Sequence, residues 1–573
     1  MKLLLVAINA KYIHSNLAVH SLRAYARKQG AGDTVSLAEY TINHSEEDIL
    51  RGIYKEKADV IAFSCYIWNI EIVLRLTKEL TKVHPAAKLW LGGPEVSYDA
   101  TECLKKNPEL TGIMIGEGEQ TFLELTQYYN VEGEQHLEEI AGIAYREGNQ
   151  VRVTRPRTLL CLSDIPFPYE ELESFNNRII YYESSRGCPF SCSYCLSSVD
   201  KRIRFRDTEL VKQELQFLLD RQVPQVKFVD RTFNCNKVHA MEIWRYIKEH
   251  DNGITNFHFE IAADLLEEEE IAFLATLRPA QVQFEIGVQS TNPGTVEVIH
   301  RKTDLNRLRV NVNKIKSGRN IHQHLDLIAG LPLEDYHTFE HSFLEVYEME
   351  PDQLQLGFLK VLKGSPMEED ARAYGIVYRD NPPYEVLYTK HLSYEELLKL
   401  KGICEMVEIY YNSGQFNSAV GYLKHFYPSP MKLYEELYTY YESRHMEMQA
   451  HSRIKRYDLL MDFFHDQVLH GIQGTNEYKQ ISLELFKEIL LMDLFLREDM
   501  KSRPTFAPEH THKNYKELYD KYRKLHKLIH IEAFTYDIEV AVAEGKAVKC
   551  DTTILFNYSD RDPITKSARI MKI

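Results

Sequence analysis

The sequence predicts an α/β protein with three folded parts. An open, doubly wound parallel sheet is expected over residues 1–145, and a hairpin and linker over 146–176. A partial barrel of six βα units follows over 177–370, then a mostly helical region over 371–573. Three observations carry this. Apolar strand-like runs alternate with amphipathic helices at the start, the same alternation resumes after a proline-bearing stretch, and it stops near residue 370.

Leu3 to Ile8 is a continuous apolar run with a loop and an amphipathic helix directly behind it, so it reads as a buried strand and not a signal peptide. Helical spacing follows in LAVHSLRAYARKQ, a short strand in Val35 to Tyr40, and a capped helix where Ser45 precedes Asp48 by three residues. ADVIAFSCY, IEIVLRLTKELTKV, KLWLGGPEV and TGIMIGEGE complete a parallel sheet covered on both faces. Ligands of such sheets lie at the carboxyl ends of the strands. Here those ends carry Ser64 to Asn69, Gly92-Gly93-Pro94-Glu95 and Gly116-Glu117-Gly118-Glu119.

IAYREGNQVRVTR reads as a hairpin turning at Gly148-Asn149, and Pro166 and Pro168 mark an extended linker. RIIYYESSRG, QVKFVDRTF, NFHFEIAADL, AQVQFEIGVQ, HQHLDLIAGLP and QLQLGFLKVL are the six barrel strands, with chemistry expected at their carboxyl ends. Beyond residue 370 helices dominate, ending in two strand-like runs, HIEAFTYDI and TTILFNYS.

The chain has 573 residues and a formal net charge of −15, a field that does not favour nucleic acid or an anionic membrane. A local basic groove stays open. No apolar run approaches the ~18 residues of a membrane span. Three of the nine cysteines fall within eight residues, which suits a metal site in a reducing, cytoplasmic compartment better than a disulfide framework.

Those three form Cys188-Pro-Phe-Ser-Cys192-Ser-Tyr-Cys195. Thiolates at this spacing can converge on a soft metal or a cluster. A structural zinc ion would need a fourth ligand, for which Cys235 and His239 are the nearest candidates. Three ligands on a four-iron cluster leave one iron open, which favours catalysis. The segment resembles the hallmark Cys-x3-Cys-x-aromatic-Cys of the radical SAM superfamily, with Tyr194 in the aromatic place.

The resemblance extends over residues 179–365 and implies a 4Fe–4S cluster that binds and reductively cleaves S-adenosylmethionine to a 5′-deoxyadenosyl radical. It places Tyr194, Asp230, Arg231, Glu285, Gln289, Ser290, Asp326 and Leu362 around S-adenosylmethionine. An ordinary strand-end hydrogen-bonding role stays open for Glu285 and Asp326. Arg301 and Lys302 are either contacts of the methionyl carboxylate or a solvated helix end. The basic run Lys201-Arg202-Ile-Arg204-Phe-Arg206 reads as a solvated strand face, with an anionic ligand as the alternative.

A Rossmann-like domain ahead of such a barrel, with G-G-P-E and G-E-G-E at strand ends, resembles the cobalamin-binding subfamily. That implies a cobalamin site formed by Asn9, Tyr12, Ser64, Tyr66, Trp68, Gly92, Gly93, Glu95, Val96, Gly116, Glu117 and Gly118. The Asp-x-His-x-x-Gly of cobalamin-dependent mutases is absent from Asn9 to Asn16. A base-off cobalamin without a histidine ligand is therefore expected, and His14 is not expected on cobalt. Packing for Trp68, and a domain that has lost the cofactor, are the alternatives.

The resemblance implies methylation of an unactivated carbon of an unknown small-molecule or peptide substrate, through that radical and methylcobalamin. Flavodoxin or ferredoxin would supply electrons. A cyclase, ring-contracting or rearranging enzyme without methyl transfer is the second reading, and an iron–sulfur sensor the third. The carboxy-terminal region resembles an uncharacterised helical domain appended to such proteins and names no substrate.

Overall fold

Leu3–Asn9 (β1) is buried along its whole length. It pairs in parallel with β2 (Val35–Thr41) and β3 (Val60–Ser64), and β4 (Lys88–Gly92) and β5 (Gly112–Met114) continue the sheet. Alternate residues of β1 serve two cores. Leu4, Val6 and Ile8 pack with Ile49, Ile53 and Val73, whereas Leu3, Leu5 and Ala7 pack with Val19, Ala26 and Phe122. This double burial is why the run shows no polar alternation. β6 (Ile143–Glu147) and β7 (Gln150–Val153) flank the Gly148-Asn149 turn and join β5 antiparallel, so the first sheet reaches Val153.

The structure is a computed structural model. It describes residues 1–573 except 131–135, 170–171, 173–174, 176, 200, 448, 474, 501–502, 508–513 and 525. Parts of the expected linker lie outside the described residues.

The second sheet begins with β8 (Ile180–Tyr182). A small antiparallel stem, β9 (Ser185–Arg186) and β10 (Arg204–Phe205), branches from its end. The sheet continues through β11 (Gln225–Phe228), β12 (Asn256–Ile261), β13 (Val282–Gln289), β14 (His322–Ala329) and β15 (Gln353–Phe358). Every neighbouring pair in the order β15-β14-β13-β12-β11-β8 is parallel, the expected six-stranded partial barrel. Burial alternates strictly along β12, β13 and β14. The apolar set, Phe257, Phe259, Phe284 and Leu325 among it, belongs to the main core. The half-buried polar set meets across strands, as in the contacts of Lys227 and His258 with Glu285.

The helical region shares that core. Tyr410, Tyr422, Tyr434, Tyr441 and Tyr457 are fully buried, which accounts for its tyrosine content. Besides the two expected strands, now Ile529–Tyr536 and Lys549–Arg561, a third, Ala568–Lys572, completes an antiparallel sheet. Among the described residues no helix is long and apolar enough to cross a membrane.

Candidate functional site

The carboxyl ends of the two sheets face each other across a cavity of about 880 Å³. The first sheet contributes Asn9, Ser64, Tyr66, Trp68, Gly92, Gly93, Gly116, Glu117 and Gly118 to its wall, and the second Tyr181, Glu183, Arg186, Gly187 and Arg231. Asn69 fixes the floor by donating to the carbonyls of Ile8 (3.0 Å) and Ser64 (2.9 Å). Gly93 has φ +115°, and a Cβ there would meet the Cys65 carbonyl oxygen at 2.5 Å, so no side chain fits. Gly116, at φ +77°, has only open space where a Cβ would stand. Tyr66 and Trp68 stack at 4.4 Å, and Trp68 donates to the Ile8 carbonyl at 3.1 Å, giving the cavity an aromatic wall.

Three residues expected here stand elsewhere. Tyr12 is exposed beneath the Arg178 guanidinium. Val96 is buried in the core of the first sheet. Glu95 is buried against the barrel, paired with Lys363 at 3.3 Å and hydrogen-bonded by Tyr384. Burial raises the Glu95 pKa against the pull of Tyr384 and Lys363. His14 does line the cavity, and its Nδ1 shares a 2.6 Å hydrogen bond with the Tyr181 hydroxyl. Burial, then Lys11 and Lys227, lowers its pKa.

The three-cysteine segment rises from the stem of β9 and β10. Gly187, at φ +103°, roots it where a Cβ would lie 2.3 Å from the Arg202 carbonyl oxygen. Cys188 and Cys192 are buried, Cys195 is half-buried, and all three are free thiols. Thr232 Oγ1 lies 3.6 Å from Cys188 Sγ. Arg301 Nη1 lies 3.9 Å from Cys192 Sγ and donates to the Tyr194 hydroxyl at 3.2 Å. Arg301 is thus an inward cation beside the thiols, not a solvated helix end, while Lys302 is exposed. Among the described residues no three Cys, His, Asp or Glu side chains form a single-ion cage. Three free thiols on one loop with a guanidinium beside them form a donor set suited to an anionic thiolate cluster.

At the end of β13 a register shift between Gly287 and Gln289 puts Gln289 at φ +73°. Gln289 Oε1 and Arg301 Nε are buried without a hydrogen-bond partner, the latter on the guanidinium that reaches Tyr194. Orphaned polar atoms here suit a polar ligand such as S-adenosylmethionine. Asp326 Oδ1 is likewise buried without a hydrogen-bond partner, and Arg231 is exposed on the cavity wall, whereas Asp230, Glu285, Ser290 and Leu362 are engaged. Asp230 accepts from the Ser184 amide (3.0 Å) and from the hydroxyls of Ser184 and Ser185 (both 2.6 Å), and burial lifts its pKa to about 6 against those bonds.

Ser290 donates to Glu334 at 2.5 Å. Leu362 contributes a carbonyl that accepts from Ser365 at 3.1 and 2.6 Å. Burial opposes ionisation of Glu285, but His258 and Lys227, each at 3.0 Å, hold its pKa at about 2. Asp326, 3.3 Å from His324, is pushed up to about 8 by burial and then by Glu285 and Glu260. Sequence reasoning missed Lys227, His258 and Glu260, although the period-two pattern of NFHFEI places His258 and Glu260 on one strand face.

The basic run is a solvated face only at its start: Lys201 and Arg202 are exposed, whereas Arg204 and Arg206 turn inward. Arg206 is 7% exposed and paired with Glu214 at 2.5 Å. Arg204 pairs with Glu117, and Arg186 pairs with Glu119 at 2.9 Å, so the G-E-G-E carboxylates grip the two arginines of the stem.

Comparison with known proteins follows the same division. Residues 3–126 match the B12 binding domain, 182–346 the radical SAM superfamily and 372–556 a family described as a protein of unknown function, DUF4080. Fold and site thus define a radical SAM enzyme with a B12-binding domain, for which those domains imply a 4Fe–4S cluster, S-adenosylmethionine and cobalamin.

An uncharacterized methyltransferase, PH0819, of Pyrococcus horikoshii is 24% identical over 62% of this chain and 77% of its own length. The cobalamin-dependent radical SAM methyltransferase TokK of Streptomyces tokunonensis is 24% identical over 56% of this chain. The alignment spans about half of TokK, 49%. The anaerobic magnesium-protoporphyrin IX monomethyl ester cyclase of Rubrivivax gelatinosus is 24% identical over 58% of this chain and 61% of its own. The cobalamin-dependent S-adenosylmethionine radical enzyme OxsB shares the fold, with a TM-score of 0.58, 15% identity, and coverage of 85% of this chain and 83% of that one.

Proposed function

We propose that this chain is a methyltransferase that alkylates an unactivated carbon of a small molecule or peptide, working in a reducing cytoplasm with a flavodoxin- or ferredoxin-type electron donor. One observation carries the reading: the glycine-lined rim of the first sheet and the root of the three-cysteine loop share a single cavity. When bound, cobalamin supplies a transferable methyl group, and the cluster with S-adenosylmethionine supplies the radical that activates a carbon. The protein's part is to hold both beside one substrate and keep water out. Cys188, Cys192 and Cys195 would ligate the cluster. Tyr194, Gln289 and Arg301 would meet S-adenosylmethionine, and Ser64, Gly92, Gly93, Gly116, Gly118, Tyr66 and Trp68 would meet the corrin.

Anaerobically reconstituted protein is incubated with S-adenosylmethionine, reductant and candidate substrates. Substrate-dependent S-adenosylhomocysteine together with 5′-deoxyadenosine supports methyl transfer. 5′-Deoxyadenosine alone, with corrin bound, favours the second reading, a cyclase or rearranging enzyme, to which the alignment with the Rubrivivax gelatinosus cyclase lends weight. Neither product, with Cys188, Cys192 and Cys195 intact, overturns both.

A further inference from the structure

Arg186 and Arg204 face each other as a directly opposed pair on β9 and β10. Two guanidiniums so placed repel unless carboxylates stand with them. The segment that follows β5 supplies these: Arg186 lies 2.9 Å from Glu119 and 3.3 Å from Glu117, and Arg204 is bonded to Glu117. Glu183, 2.7 Å from Arg186, and the Leu160 carbonyl, 2.6 Å from Arg204, complete the group. The partners are largely buried, Glu119 to 6% exposure. One side of this group runs directly into Gly187 and Cys188; the other is the Gly116 to Glu119 segment of the cavity wall.

We infer that Arg186 and Arg204 are positioning residues, a clasp that sets the separation and tilt between the corrin cavity and the cysteine loop. Buried ion pairs contribute little net stability against apolar replacements, and fixing one arrangement among alternatives is a use they do serve. The inference rests on the two-cofactor reading above.

The test is the electron paramagnetic resonance spectrum of protein loaded with hydroxocobalamin and a reconstituted cluster, then chemically reduced so that cobalt and cluster both carry an unpaired spin. Their spin–spin coupling reports separation directly. Wild-type protein should give one resolved splitting. Glu119→Gln and Arg204→Gln, on opposite sides of the clasp, should each smear or abolish it at wild-type iron and corrin content, and Arg204→Lys should recover part of it. An unchanged splitting in both glutamine variants overturns the clasp, as does a change only in proportion to lost iron or corrin. Wild-type protein that takes up neither cofactor overturns the two-cofactor reading, and the clasp with it.

Discussion

Asn412 accepts a hydrogen bond from the Leu354 amide at 2.8 Å and donates one to the Leu354 carbonyl at 2.9 Å. One side-chain amide from the helical region thus satisfies both backbone groups that Leu354 presents at the open edge of the six-stranded sheet. A parallel sheet that stops short of a closed barrel leaves such an edge, and an uncovered edge invites pairing with other chains. Asn412→Ala should cost about 1–3 kcal/mol, the range for stranding buried backbone groups. Denaturant unfolding checks the loss, and light scattering should show earlier aggregation. An unchanged midpoint would mean that water replaces the amide.

Arg206 reaches Glu214 through two bonds of 2.9 and 2.5 Å, while Tyr182 donates to the same carboxylate at 2.6 Å. Both charged groups are buried, so removing the cation leaves an uncompensated carboxylate. Arg206→Met should destabilise by about 3–5 kcal/mol, and the double variant with Glu214→Leu by clearly less, because no orphan charge remains. Urea melts of the two variants decide; equal losses would mean that the pair acts through packing alone.

Gly93→Ala should distort the cavity floor, since the added methyl group meets backbone rather than a flexible side-chain end. A non-glycine residue at such a dihedral costs about 1–3 kcal/mol before the clash is added. Corrin uptake, followed by visible absorbance, should weaken more than in Gly118→Ala, whose Cβ would meet only the movable Leu22 side chain at 3.0 Å. Equal uptake by the two variants would remove the Gly93 turn from the binding surface.

What could be read in the sequence was local. The run Leu3 to Ile8, the spacing of Cys188, Cys192 and Cys195 and the alternation in NFHFEI each fix a strand or loop within a few residues. Contacts between the sheets could not be read, because Arg204 and Glu117 are 87 residues apart and Tyr384 and Glu95 are 289 apart. A basic run looks the same whether its arginines face water or a partner's carboxylates, which is why Arg204 and Arg206 were expected on a solvated face. Ala568–Lys572 escaped because four of its five residues are exposed and give no alternation.

Asp493 is buried in the helical region, where it caps the helix Asn417–Leu423 by accepting from the amides of Ser418 (3.0 Å) and Ala419 (2.8 Å). Burial outweighs these bonds and raises its pKa from 3.8 to about 7. Between those values the folded chain holds a proton that the unfolded chain has released, so this group's contribution is full below 3.8 and is lost as pH rises to about 7. The slope is at most about 1.4 kcal/mol per pH unit. Asp493→Asn keeps the acceptor oxygen but cannot ionise. The urea midpoint of the wild-type protein should therefore fall more steeply between pH 5 and pH 7.5 than that of the variant, and the difference isolates Asp493 from other raised carboxyls such as Glu334 and Asp326. Parallel pH profiles would show that Asp493 is ionised throughout, held by the two amides despite its burial.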